Sequence, residues 1–249
     1  MSLAFLSPDA ATPAGAHQPL ARSPMERDAR AAGARFEVRD GWNVAVGYSS
    51  VEQEREGAGR SVGWADVSHL GKLAVQAAPD ELATIAGAAL ELGRATRVDG
   101  AWLLPLTAQR ALIVCDPGTV GAMRERLDEG AANAGAPATV LDLTTAYAAL
   151  TLIGPHAREV FARFSAIDLR PAVMPVRGLR PGSIARGPGM VVREDADRFL
   201  LLFGSALGQY LWSVVADAGR HLGGLPLGAQ ALAPLPAPAA AHQEASPHA

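Results

Sequence analysis

Residues 63–75, Gly-Trp-Ala-Asp-Val-Ser-His-Leu-Gly-Lys-Leu-Ala-Val, constrain the fold of this chain more than any other stretch. Apolar residues recur along this stretch at Trp64, Val67, Leu70, Leu73 and Val75, with polar and small residues between them. The apolar pattern ends by alternating with a period of two, which is typical of an extended segment that enters a β-sheet. Gly71 interrupts it, so we expect a turn or a bulge there.

Asp66, Ser68 and His69 are the residue types of a hydrolase triad, but they stand too close together in the sequence. Triad members must converge in space, and side chains two or three positions apart on one strand cannot do so. A single histidine on an apolar strand is more often a hydrogen-bonded structural residue than a ligand or a base. We favour that interpretation of His69.

The composition predicts a globular protein with a sizeable core, because 49% of the 249 residues are hydrophobic. The net charge of -3 gives no sign of the excess of Lys and Arg that a nucleic-acid-binding surface needs. The single cysteine, Cys115, lies in an apolar run and is expected to be a small core residue of a cytoplasmic protein. No apolar run is long enough to span a membrane, so we expect no membrane contact.

The two ends of the chain are predicted to be flexible tails, residues 1–24 and 233–249, because both are rich in alanine and proline and lack periodicity. One domain is expected between them, over residues 25–232. The start of the chain lacks the basic region and apolar core of a signal peptide. His242 and His248 are too isolated to predict a metal site, and no clustered ligand spacing occurs elsewhere.

Local patterns predict an α+β fold, in which antiparallel strands form hairpins and helices cover the sheets. Cap and stop residues, or apolar stripes, indicate helices over residues 24–33, 50–57, 80–92, 116–130, 154–164 and 205–218. Gly93 is expected to end the third helix, and Ser205 to cap the last one. Apolar runs indicate strands over residues 98–107, 110–115, 150–153, 184–192 and 199–203.

Residues 66–72, Asp-Val-Ser-His-Leu-Gly-Lys, resemble the Asp-Val-Ser-His-Met-Gly-Lys signature of the folate-dependent aminomethyltransferases, the family of the glycine cleavage T-protein. Residues 34–48 resemble the opening of that family, and residues 152–157 resemble one of its helix starts. Residues 197–212 are more similar to the gamma subunit of heterotetrameric sarcosine oxidase, which has the same fold. The resemblance covers residues 25–232 and implies the fold of the folate-binding domain.

The resemblance also implies a ligand and a site. Tetrahydrofolate would be the cofactor, with Asp66, His69, Leu70, Lys72 and Arg193 as binding residues. Asp99 would be the acidic residue beside the reacting amine, although the alignment can also place that position at Gly100. The alternative for Asp99 is an ordinary Asp-Gly turn.

Two departures from the family change the expected function. Residues 191–200 lack the tyrosine that helps to hold the pterin ring, and Leu200 stands where the family has a glutamate. The chain is also expected to lack the further domain of full-length transferases. Arg177, Arg180 and Arg186, with Arg193, form a basic segment that could meet a folate glutamate tail or an acidic partner, although a solvated loop is the simpler interpretation.

We therefore expect a small accessory subunit of a sarcosine-oxidase-type heteromeric flavoenzyme in N-methyl amine metabolism, with larger flavoenzyme subunits as partners. The alternative is a stand-alone aminomethyltransferase that moves a one-carbon unit to tetrahydrofolate. A third possibility is a folate-binding regulatory protein without catalysis. The sequence alone does not separate the third possibility from the second.

Overall fold

The computed structural model describes residues 19–232. These residues contain the strands β1 (Ala21–Arg22), β2 (Arg35–Arg39), β3 (Trp42–Gly47), β4 (Gly63–Asp66), β5 (Gly71–Gln76), β6 (Thr96–Val98), β7 (Ala101–Thr107), β8 (Arg110–Cys115), β9 (Thr139–Asp142), β10 (Tyr147–Ile153), β11 (Leu179–Ile184), β12 (Gly187–Asp195), β13 (Arg198–Gly204) and β14 (Leu225–Pro226). The α-helices are α1 (Glu26–Ala31), α2 (Val51–Arg60), α3 (Pro79–Ala86), α4 (Val120–Ala132), α5 (Ala157–Ala162), α6 (Gly208–Arg220) and α7 (Ala229–Leu232).

The strands form two large sheets and one small one. Sheet I has the order β11-β12-β13-β10-β4-β14, sheet II has the order β6-β7-β8-β5-β9, and the small sheet has the order β1-β3-β2. All neighbours are antiparallel except the pairs β4–β14 and β1–β3. The prediction of an α+β fold with antiparallel sheets and covering helices is confirmed.

The two large sheets lie face to face, with helices on their outer faces. Alternate residues of β13 show this, because Leu201 and Phe203 pack against α5 and α6, whereas Leu200 and Leu202 point towards sheet II. On sheet II the outer face, which includes Ile113 of β8, packs against α3 and α4. Central strands are therefore buried on both faces, and this explains why they appear as unbroken apolar runs in the sequence.

Sheet II is an insertion between two neighbouring strands of sheet I. The chain leaves sheet I after β4, builds all five strands of sheet II, and returns through β10, which pairs with β4. Residues 63–75 make the first of these two crossings, since β4 belongs to sheet I and β5 to sheet II. The expected turn lies at residues 67–70 rather than at Gly71, which begins β5. A Cβ on Gly71 would lie 2.2 Å from Val120 Cγ2, so the close approach of α4 requires glycine there.

Several predicted helices have different ends in the structure. The helix predicted over residues 80–92 ends at Ala86, because Gly87 adopts a left-handed backbone (φ 77°) and its N–H caps the carbonyls of Ala83 and Thr84. The helix predicted from Asp116 begins with a 3₁₀ turn, Pro117–Thr119, and its α-helical part extends past Gly130. Ser205 starts another 3₁₀ turn, and its side chain makes no capping bond to α6.

Most of the strand predicted over residues 184–192 is β12, but its first three residues belong to the end of β11 and to a hairpin turn. β11 ends at Ile184, and Ala185 and Arg186 form the turn with positive φ values of 45° and 66°. The sequence patterns do not predict strands β1, β2, β3, β6, β9, β11 and β14. Residues 1–18 and 233–249, which include most of the two predicted tails, lie outside the described residues, while Ala21–Arg22 pairs with β3. No helix of residues 19–232 is long and apolar enough to cross a membrane.

Candidate functional site

The turn between β4 and β5 brings together four of the side chains that the resemblance places in the site: Asp66, His69, Leu70 and Lys72. Asp66 is buried, and its Oδ1 accepts the backbone N–H of Ser68 at 2.9 Å, which closes an Asx turn. The N–H of Leu70 donates to the carbonyl of Val67 at 3.1 Å, so residues 67–70 form a β-turn. The hydroxyl of Ser68 accepts the N–H of Ala149 in β10 at 3.1 Å, which fastens the turn to sheet I.

The Lys72 side chain is completely buried and joins this turn to the second crossing. Its Nζ donates to the carbonyls of Ser68, Leu70 and Thr144, at 2.7, 2.8 and 3.2 Å. Thr144 lies between β9 and β10, where the chain returns from sheet II to sheet I, and its Oγ1 accepts the backbone N–H of Lys72 at 3.0 Å. The three donated bonds use all the ammonium hydrogens and leave none for a ligand.

Lys72 is the only lysine in the chain, and the other 21 of its 22 Lys and Arg residues are arginines. An ammonium group directs three hydrogens tetrahedrally, whereas a guanidinium group donates from a planar fork. Only the ammonium group matches three carbonyls gathered around one atom. Burial lowers the pKa of Lys72 to about 7, and the nearby carboxylates of Asp66 and Asp142 act in the opposite direction.

His69 and Leu70 are half-buried at the outer side of the turn. Burial lowers the pKa of His69 to about 4, and the positive charges of Lys72 and Arg39 lower it further. The imidazole is therefore neutral at pH 7. A neutral ring near two basic side chains is suited neither to holding an anion by charge nor to carrying a proton at neutral pH.

The structure adds one buried polar group to this region that the sequence analysis did not place in the site. The hydroxyl of Tyr48 is buried and has no hydrogen-bond partner among the described residues. Burial raises the pKa of Tyr48, and the neighbouring charges of Asp66 and Glu54 raise it further. Burial likewise raises the pKa of Asp66, against the hydrogen bonds from Ser23 and Ser68. The sequence signal for Tyr48 was its place in the stretch that resembles the opening of the family.

Asp99 lies in the two-residue loop of the β6–β7 hairpin. Val98 pairs with Ala101, and Asp99 and Gly100 have positive φ values of 48° and 80°, which is a type I′ geometry. The side chain of Asp99 is exposed. This position corresponds to the Asp-Gly turn that we considered as the alternative to a catalytic role.

Arg193 is buried in β12, and its side chain is hydrogen-bonded to backbone carbonyls nearby. Its guanidinium donates to the carbonyls of Met174, Asp195 and Ala196, at 2.9, 3.2 and 2.7 Å. Each of its three nitrogens therefore has a backbone partner, and the side chain supports the loop before β11. None of these hydrogen bonds connects Arg193 to the β4–β5 turn or to Asp99.

Apolar side chains of the two large sheets meet between them. One continuous cluster contains members of both sheets: Ala65, Val67, Ala74, Trp102, Leu104, Leu112, Val114, Ala149, Met190, Val192, Leu200 and Leu202. Leu200 is 1% exposed and Trp102 is 6% exposed, so water has almost no access to either. The indole N–H of Trp102 donates to Glu194 Oε1 at 2.7 Å, and Glu194 Oε2 accepts from Arg198 Nε at 2.9 Å.

These residues do not fit a pterin ring at the position of Leu200. A pterin presents a donor edge that needs a carboxylate, and burying that edge against leucine leaves the donors unpaired, at a cost of about 1–3 kcal/mol. Lys72 and Arg193 already donate to backbone carbonyls. No group of three or more His, Cys, Asp or Glu side chains within residues 19–232 could hold a metal ion.

Replacing Lys72 should destabilise the protein strongly, whether or not the positive charge is kept. Lys72→Met leaves three buried carbonyls without a donor, and we expect it to lower the free energy of unfolding by about 3 kcal/mol or more. Lys72→Arg keeps the charge but cannot donate three hydrogens tetrahedrally from one nitrogen to the three carbonyls, so it should also be destabilising. Urea unfolding would measure both effects. Arg124→Lys on the exposed side of α4 is the matched control and should change little, whereas a fully stable Lys72→Arg variant would contradict this geometry.

The lowered pKa of His69 predicts a pH-dependent stability. The unfolded chain binds a proton near pH 6.5, but the folded chain does so only near pH 4, so the free energy of unfolding should fall as the pH is lowered between these values. The loss due to this group would approach roughly 3 kcal/mol at pH 4. Urea unfolding of wild type and His69→Asn from pH 7 to pH 4 measures the difference. His156→Asn, at a 44% exposed side chain, is the control, and parallel pH profiles for wild type and His69→Asn would disprove the prediction.

Known proteins with similar sequences and structures are aminomethyltransferases and a sarcosine oxidase. The chain is 27% identical over 228 residues to the aminomethyltransferase of Moorella thermoacetica, which covers 84% of this chain and 61% of that protein. It is 29% identical over 229 residues to the aminomethyltransferase of Streptomyces coelicolor, covering 84% and 60%. The chain thus spans about three fifths of the length of these relatives.

Two solved structures have the same fold. Glycine cleavage system aminomethyltransferase T from Bartonella henselae superposes with a TM-score of 0.71 at 20% identity, over 85% of this chain and 60% of that chain. A chain of heterotetrameric sarcosine oxidase from Corynebacterium sp. U-96 superposes with a TM-score of 0.64 at 22% identity, over 82% and 96%. The model of the GCVT N-terminal domain matches residues 25–237. The chain therefore belongs to the GCVT N-terminal domain family of aminomethyltransferase-like proteins.

Proposed function

We propose that this chain is an aminomethyltransferase-fold subunit of a heteromeric enzyme of one-carbon and N-methyl amine metabolism, and that it supports the assembly rather than the chemistry. The observation that carries this proposal is the apolar contact between sheets I and II, in which Leu200 and Trp102 are buried. A domain that binds a pterin between its sheets needs polar partners for the pterin. In this chain Leu200 stands where the related transferases have a glutamate.

The engagement of the basic side chains supports the same proposal. Lys72 and Arg193 are buried, and both donate to backbone carbonyls, so they stabilise loops of this chain. Asp99 is exposed in a hairpin loop, where it has no low-dielectric surroundings that would strengthen an interaction with a reacting amine. The larger subunits would then carry the flavin and the reacting amine.

The second candidate is a tetrahydrofolate-dependent aminomethyltransferase, in which Asp99 would lie beside the reacting amine. The curated relatives favour it, since the proteins matched over most of this chain are named aminomethyltransferases, and sequence comparison alone supports it better than the accessory role. Membership of the family also makes tetrahydrofolate the ligand to test first. A folate-binding regulator without catalysis would share this ligand.

The cytoplasm is the compartment that we propose. Cys115 is buried in β8, where it packs as a small apolar residue beneath α4. A buried thiol of this kind suits a reducing compartment.

Calorimetric titration of the purified chain with tetrahydrofolate tests the two candidates directly. We expect no heat of binding up to millimolar ligand, because apolar side chains of both sheets meet between them and Leu200 offers the pterin no acceptor. The aminomethyltransferase of Moorella thermoacetica, titrated under the same conditions, is the positive control.

The variant Asp99→Ala sharpens this experiment. Micromolar binding by wild type that weakens by tenfold or more, about 1.4 kcal/mol, in Asp99→Ala would overturn the accessory role and place the ligand beside the β6–β7 hairpin. Exposed Asp128→Ala on α4 is the control for the loss of a surface carboxylate. Tight binding unaffected by either substitution would favour a folate-binding regulator whose site does not include Asp99.

A further inference from the structure

Two loops of this chain form a single exposed surface, which we call the Leu92–Val176 surface. It consists of residues 87–95, which follow α3, and residues 170–178, which precede β11. Seven large hydrophobic side chains are exposed among residues 19–232, and three of them lie here: Leu92 at 61%, Val173 at 43% and Val176 at 43%. Exposed apolar side chains grouped on neighbouring segments, with polar residues around them, often mark a protein–protein contact.

Backbone hydrogen bonds hold the two loops together. The N–H of Ala95 donates to the carbonyl of Arg177 at 2.7 Å, and the N–H of Leu179 donates to the carbonyl of Gly93 at 2.8 Å. Arg180 completes the connection, because its guanidinium donates to the carbonyls of Gly93 and Val173, both at 3.0 Å. These bonds fix the backbone that carries the apolar side chains. Little conformational entropy of the two loops would therefore be lost when a partner binds.

Arginines surround the apolar side chains. Arg94 is 54% exposed, Arg170 is 77% exposed, and the Arg177 side chain is also exposed. The acidic residues within these loops and beside them are Glu91, whose Oε2 lies 4.0 Å from Arg94 Nε, and Asp168, which binds Arg170. Arg94 and Arg170 are thus already paired with carboxylates of this chain, whereas Arg177 forms no salt bridge within residues 19–232. Arginine is enriched at protein interfaces, and the positive charge that remains matches a partner with carboxylates around an apolar patch.

Arg177 also has a strained backbone. Its φ is 69°, a left-handed conformation that costs energy for any residue with a Cβ, yet its N–H and C=O are both held, by Arg193 and Ala95. Such strain persists where the surroundings enforce it, and it is found preferentially at functional sites. Here the strained backbone places the Arg177 side chain next to the exposed Val176.

We propose that the Leu92–Val176 surface is where this chain docks on the larger subunit of its enzyme, through an apolar patch on that subunit that is ringed by Asp and Glu. The inference rests on the proposed accessory function and names its contact surface. A protein fits better than a lipid surface, because the apolar side chains are short, stand on two rigid loops, and do not form an amphipathic helix.

The test uses the full-length tagged chain, produced in the organism that encodes it, with co-purifying chains identified and quantified by mass spectrometry. The double variant Leu92→Asp/Val176→Asp places two charges in the centre of the surface. We expect it to reduce recovery of the larger subunit by about tenfold or more relative to wild type. Val38→Asp, at a 66% exposed valine of β2, is the matched control and should retain the subunit. Circular dichroism and thermal unfolding would verify that both variants are folded.

The possible failures are distinguishable. Retention of the larger subunit by the double variant, or equal loss from Val38→Asp, overturns the surface and leaves the accessory function in place. If no chain co-purifies with wild type in a stoichiometric amount, the accessory function itself fails. A wild-type chain that instead binds vesicles containing anionic lipid, with the double variant unable to do so, would overturn the protein partner. Arg94→Glu adds an independent check, because charge reversal at the rim should weaken recovery more at low than at high salt.

Discussion

The hydrogen bonds of one buried ammonium group hold together the two places where the chain passes between its sheets. Sheet II is inserted between β4 and β10 of sheet I, so the chain must leave and return at neighbouring points. Lys72 lies at the exit, and its Nζ reaches the carbonyl of Thr144 at the return. A buried charge costs free energy unless it is fully hydrogen-bonded, and three carbonyls meet that requirement here. The residues around Lys72 therefore have a structural role in this chain, in addition to resembling the signature of a family.

The packing between the sheets decides what this fold can do. Two sheets facing each other can enclose a ligand if polar groups and space are left between them, or they can form a core if apolar side chains interdigitate. Leu200 and Trp102 of this chain are buried in an apolar cluster that includes residues of both sheets. The superpositions show a shared fold, and a shared fold does not by itself determine which site the fold carries.

Local signals in the sequence predicted the fold class well, and the end of each element less well. The hairpin over β7 and β8 followed from two apolar runs, and the sheet strands were visible because both of their faces are buried. The end of α3 was mistaken because Gly87 and Gly93 are equally good stop residues in a sequence, and only packing selects the first. The candidate site was less predictable. Nothing in the sequence indicates that Thr144 accepts from Lys72, or that the Arg193 donors turn towards backbone carbonyls, because both depend on contacts distant in sequence.

The burial of the single lysine gives the protein an unusual chemical surface. Every exposed cation of residues 19–232 is an arginine or a histidine, so reagents specific for primary amines find no side chain to attack while the chain is folded. Lys72 becomes reactive only when the contact between the two crossings opens and its hydrogen bonds to carbonyls are broken. The rate at which an acylating reagent modifies this side chain would then report the opening of the connection between the sheets, separately from the unfolding of either sheet.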